Sequence, residues 1–136
     1  MKLAVCLDDK NGMMFGKRRQ SMDRLLRQDL LEMTAGATLW MSPYSAKQFT
    51  ESADHIAVDA DFLRKAAPED WCFVEDSDIE EIASSVTKVA IYRWNRLYPA
   101  DKRFPANLFS DRWTLESSKD FPGSSHEKIT LEVYAL

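Results

Sequence analysis

The chain has 136 residues, 45% of them hydrophobic and 29% charged, with a formal net charge of −4. That length and composition describe one domain, residues 1–136, with a core that needs no covalent staples. The acidic balance disfavours a polyanion, so nucleic acid is not the expected partner.

In chain order, Leu3–Leu7 is a continuous apolar run, as expected for a strand covered on both faces. It stops at Asp8-Asp9, too soon for a signal peptide or a membrane span, so a cytoplasmic protein without a membrane partner is expected. Asn11-Gly12 signals a turn, and the segment from Met13 to Gln20 reads as a loop. Ser21 is the expected N-cap of a helix whose apolar stripe is Met22, Leu25, Leu26, Leu30 and Met33, with Gly36 at its end. Ala37–Met41 reads as a second strand, followed by a short helix from Ser42-Pro43 towards Phe49. His55–Val58 is a third strand, and Asp59 is placed to cap a brief helix that ends before Pro68.

Trp71 to Asn95 reads as strand, helix, strand. Cys72–Val74 and Lys88–Trp94 are the strands, and Ile79, Ile82, Ala83 and Val86 form one helical face between them. Ser77 with Glu80 predicts a capping box, and the unit predicts two parallel neighbours joined by a right-handed crossover. Residues 96–111, with Pro99 and Pro105, read as a long loop. Trp113–Ser117 and Lys128–Tyr134 alternate and predict a C-terminal antiparallel pair. The expected fold is thus α/β, a single domain with a mixed, mostly parallel central sheet flanked by helices. Cys6 and Cys72 lie in predicted buried strands with no metal spacing, which fits two reduced core thiols.

The order of elements and several residues resemble dihydrofolate reductase, nearly end to end but with weak identity. The first strand and the Asp8–Gln20 loop resemble that family's opening strand and mobile substrate loop. The helix from Ser21 resembles the one carrying the pterin-binding carboxylate, which falls on Asp23 or Asp29. Leu39 to Ser45 resembles the second strand and the turn that holds the cofactor's phosphates, and the segments around Val89–Asn95 and His126–Tyr134 resemble the last strands. The family follows the strand equivalent to Cys72–Val74 with paired glycines, where the chain has Glu75-Asp76. Two carboxylates there repel a diphosphate and remove the close approach glycine allows. The family's arginine and glycine after the second strand are replaced by Ser42 and Pro43. The resemblance therefore implies a dihydrofolate reductase-like fold whose NADPH site is degraded, with no cofactor expected. It extends to short chains that carry the label ribonuclease Z. That enzyme needs a His-rich metal motif, and the chain has only His55 and His126.

In open α/β sheets, ligands bind beyond the carboxyl ends of the strands. Three readings of that edge follow. The first is a small ligand or a protein partner held by Asp8, Arg18, Arg19, Asp23, Ser42 and Tyr44. The second is a metal-dependent phosphoester or RNA hydrolase, with Asp8, Asp9, Glu75 and Asp76 holding magnesium. The third is a residual reductase. Three further features have a plain structural explanation beside a functional one. The basic run Lys17-Arg18-Arg19 is either an anion site or a solvated face. Tyr92 to Tyr98 interleaves aromatics with arginines, as a stacking platform or as one side of a strand. His126 beside Glu127 is either an acid–base group or a surface histidine. No Gly-x-Ser-x-Gly, Gly-rich phosphate loop or Cys-x-x-Cys occurs.

Overall fold

A run without polar residues is stable as a strand only where both faces are covered, and the first strand meets that condition. The computed structural model describes residues 1–109 and 111–136. Its strands are β1 (Lys2–Leu7), β2 (Gly12–Phe15), β3 (Arg18–Arg19), β4 (Leu39–Met41), β5 (Ile56–Val58), β6 (Trp71–Phe73), β7 (Lys88–Arg93), β8 (Lys102–Arg103), β9 (Thr114–Phe121) and β10 (Ile129–Ala135). The α-helices are α1 (Arg24–Met33), α2 (Pro43–Ala46) and α3 (Phe62–Lys65), and Glu80–Ser85 and Ala106–Leu108 form 3-10 turns.

Seven strands make one sheet in the order β5-β4-β6-β1-β7-β10-β9, and β3-β2-β8 make a small second sheet. The five strands from β5 to β7 are parallel, while β10 and β9 run antiparallel at one edge. Leu3, Val5 and Leu7 of β1 enter one core with Phe62, Val89 and Ile91. Ala4 enters the other, with Leu26 and Leu30 of α1, Leu39, Phe73 and Tyr92. Each fully buried leucine contributes about 1.5–3 kcal/mol, so the two-sided burial of β1 makes it the spine of the molecule. No helix among the described residues is long and apolar enough to cross a membrane.

Several elements differ from the sequence-based expectation, each for a physical reason. The loop after Asn11-Gly12 is ordered as β2 and β3, because β8 supplies a pairing partner that was hidden in the expected 96–111 loop. Within that loop, Ser110 lies outside the described residues. Helix α1 is capped by Asp23 rather than Ser21; its carboxylate accepts from Leu25 N and Leu26 N. Met22 consequently falls outside the helix and is 49% exposed.

The segment after β6 forms the 3-10 turn Glu80–Ser85, not an α-helix, and no side chain caps it. Ile79 and Val86 are buried at its two ends while adjacent Ser84 and Ser85 are poor helix formers, so a short, tight turn spans the gap. The strands on either side of it are parallel but not neighbours, since β1 lies between β6 and β7. The C-terminal pair is antiparallel as expected, with β9 extended to Phe121.

Candidate functional site

The edge beyond the parallel strands is organised by a loop that folds back over it. Asp8 ends β1 and is buried. Its Oδ1 accepts from Lys10 N at 2.8 Å and Gly12 N at 2.7 Å, and its Oδ2 from Gln20 Nε2 at 3.0 Å and Tyr98 N at 3.3 Å. Burial acts to raise its pKa, but these hydrogen bonds outweigh burial and lower it. Asp8 thus fixes the turn that launches β2 and β3 across the edge.

Strand β3 delivers Arg19. Its guanidinium makes a bidentate pair with Glu75, Nε to Oε2 at 3.0 Å and Nη2 to Oε1 at 3.1 Å. The same guanidinium lies 4.3 Å from the centroid of the Tyr44 ring, and Nη2 donates to Tyr44 O at 3.2 Å. Tyr44 Oη in turn accepts from Arg19 N at 2.8 Å. Arg19 therefore bridges the segments that leave β4 and β6, and the Glu75 carboxylate, 8% exposed, is neutralised in place. Ser42 caps α2 through Ser45 N and also donates to Asp76 Oδ1 at 3.2 Å.

An open pocket of about 390 Å³ remains beside this clamp, lined by Arg18, Arg19, Ser21, Met22 and Tyr44. Arg18 is exposed and enters no ion pair among the described residues. The pocket thus joins a cation, a hydroxyl, a thioether and an aromatic ring, a set suited to a small organic anion with an apolar body. A larger hollow, about 520 Å³, lies between α3 and the 3-10 turn. Asp61, Asp78, Glu80 and Glu81 line it, against Arg64 as its cation.

Asp23 and Asp29, the two alternatives for the pterin carboxylate, are both committed. Asp29 accepts from Tyr92 Oη at 2.6 Å and Lys119 Nζ at 2.5 Å. Asp23 is buried under the loop between β9 and β10. It accepts from Ser124 N at 3.0 Å, Ser125 N at 2.9 Å and the His126 ring, Nδ1 to Oδ2 at 2.9 Å. Burial works against its ionisation, but the donors from His126, Ser124, Ser125 and Leu26 prevail and hold the carboxyl well below its usual range. His126 is 7% exposed and stacks on Trp94 with centroids 4.6 Å apart, so it is not a surface histidine.

Among the residues expected at the site, the fold brings Arg18, Arg19 and Tyr44 to one pocket. It places Asp8, Asp23 and Ser42 beside it as supports. The acidic rim expected to hold a divalent cation does not converge. No group of three or more His, Cys, Asp or Glu among the described residues is arranged to hold a metal ion. Asp9 and Asp76 are exposed, Asp8 is enclosed by donors, and Glu75 is spent on Arg19. Cys72 is buried and Cys6 half-buried, both free. Burial pushes the Cys72 thiol up to about 12 and raises Cys6 as well, so neither is a ready nucleophile. Sequence reasoning missed Ser21 and Met22 as pocket residues, because Ser21 was assigned to the cap that Asp23 provides.

No protein-family model matches the chain, and no curated protein matches it in sequence. Among solved structures, the chain is similar to dihydrofolate reductase from Enterococcus faecalis, complexed with NADP(H) and RAB-propyl. The TM-score is 0.68 at 12% identity, covering 99% of this chain and 95% of that one. The class of protein is thereby defined at the level of architecture: a single α/β domain with a dihydrofolate reductase-like fold.

Proposed function

We propose that the chain is a binding protein for small organic anions, built on a dihydrofolate reductase-like fold that no longer takes NADPH. The observation that carries this reading is the Arg19 clamp, bidentate on Glu75 and stacked on Tyr44. It occupies the rim between the segments leaving β4 and β6, and no glycine follows β6 to let a diphosphate approach the backbone. Arg19 is committed to Glu75 and offers no free charge, so an incoming phosphate meets Asp76 there, and the hollow between α3 and the 3-10 turn adds Asp61, Asp78, Glu80 and Glu81. The cofactor and these residues do not fit. What remains usable is the pocket where Arg18 offers charge and Met22 and Tyr44 offer apolar surface.

The test is calorimetric titration of the purified chain with benzoate, as a minimal aromatic carboxylate, and with NADPH. Benzoate is expected to bind, and Arg18→Ala to weaken it about tenfold or more, the value of one charged hydrogen bond. NADPH is expected to give no binding heat. Micromolar NADPH binding would overturn the reading, as would benzoate affinity that ignores Arg18.

A further inference from the structure

Three side chains around the pocket stand in a line that ligand binding alone does not require. Ser21 Oγ lies 2.9 Å from His126 Nε2, and His126 Nδ1 lies 2.9 Å from Asp23 Oδ2. We infer that Ser21, His126 and Asp23 form a nucleophile, base and orienting carboxylate that open into the Arg18–Tyr44 pocket and hydrolyse small esters of apolar carboxylic acids. The inference rests on the pocket being an organic-anion site, and it names the anion: the carboxylate product of the reaction.

The geometry separates this set from a simple helix cap. The two oxygens of Asp23 have different tasks. Oδ1 accepts from Leu25 N, Leu26 N and Ser124, and so caps α1. Oδ2 accepts from Ser125 and from His126 Nδ1. A cap needs only the first. The second orients the ring with Nδ1 towards the carboxylate, the tautomer in which Nε2 is an acceptor aimed at the Ser21 hydroxyl. Stacking on Trp94 holds the ring plane. Tyr98 Oη is the second group on Nε2, at 3.2 Å, and competes with Ser21 for it. Ser21 itself is half-buried and lines the pocket, so an ester can reach it.

The loop carrying His126 reaches Asp23 only because Gly123 is small. A Cβ there would collide with Asp23 Oδ2 and lie 3.0 Å from both Asp23 Cγ and His126 O.

The chemistry balances with groups in hand and water. Ser21 Oγ bonds to the ester carbonyl carbon while its proton passes to His126 Nε2. The tetrahedral adduct, formed in the pocket that Arg18 also lines, collapses; the carbon–oxygen bond to the leaving group breaks, and that oxygen takes the proton from Nε2. Water then attacks the acyl-Ser21, giving a proton to Nε2. Cleavage of the Ser21–acyl bond returns that proton to Oγ and frees the carboxylic acid.

The test uses the full chain with p-nitrophenyl acetate, following nitrophenolate release and mapping the acetyl group by peptide mass. The expected result is a burst, acetylation of Ser21, and loss of about a hundredfold or more of the rate in Ser21→Ala. Tyr98→Phe, which removes the competing hydroxyl from Nε2 and leaves the Asp23 and Trp94 contacts of the ring in place, is expected to raise the rate. Asp23 is a positioning residue; Asp23→Asn is expected to change the pH–rate profile, not only its amplitude. Acetyl groups on lysines alone, or an unchanged rate in Ser21→Ala, overturn the inference. If benzoate still binds under that outcome, only the chemistry fails. If benzoate binding is absent too, the pocket reading fails with it.

Discussion

Asp23 carries more of the local structure than any other side chain near the pocket. It caps α1, closes the loop between β9 and β10, and holds His126, with its side chain fully enclosed. Its pKa lies below the ordinary carboxylate value near ~4. A depressed folded-state pKa contributes stability that is present above the unfolded value and lost as pH falls through the folded one. Stability should therefore decline steeply from about pH 4 downward. Asp23→Asn should flatten that acid limb and cost about 2 kcal/mol near neutral pH, through a weakened cap and lost charged hydrogen bonds. Urea denaturation of both chains between acid and neutral pH measures it; parallel acid limbs would show that Asp23 is not the titrating group. None of this was legible in the sequence. Ser21 and Asp23 are both good caps, and the partner that decides between them, the Ser124–His126 loop, lies a hundred residues away.

At the scale of elements, β3 is two residues long and would not hold its place through backbone pairing alone. Arg19 anchors it to β6 through Glu75. Arg19→Ala leaves Glu75 buried without its counter-charge and should cost about 3 kcal/mol, because breaking such a pair costs more than replacing it. The double variant Arg19→Met, Glu75→Leu should recover most of that loss. Chemical denaturation of the three chains decides it, and an additive double variant would count against coupling. Sequence periodicity revealed the parallel strands because each is a buried apolar run. It could not reveal β2, β3 and β8: β2 and β3 form a short local hairpin, and its pairing to β8 is set by long-range contacts such as Gly16 N to Asp101 Oδ2. It also overstated the helix after β6. The apolar spacing of Ile79, Ile82, Ala83 and Val86 serves a 3-10 turn equally well when only the end residues are buried.

For the molecule as a whole, the mixed, mostly parallel sheet was readable from hydrophobic runs, and the resemblance to dihydrofolate reductase was readable as fold; the strand order was not, since β1 lies between the two strands expected to be neighbours. The site was not, because its character depends on which charges cancel. Glu75 looked like a metal ligand in sequence and is an anchor in space. A ligand that binds only the native state raises stability by about 2.7 kcal/mol at a hundredfold excess over Kd. Benzoate at such excess should lift the melting temperature by several degrees, whereas magnesium or manganese should leave it unmoved. A metal-induced rise lost in Glu75→Gln would restore the cation reading.

The stacking of Trp94 on His126 has an optical consequence. An imidazolium within van der Waals reach of an indole quenches its emission, whereas a neutral ring does so far less. Trp94 sits 4.6 Å from His126 by centroid. The molecule therefore contains a fluorophore stacked on one buried histidine, and its brightness reports on that contact from inside the folded chain.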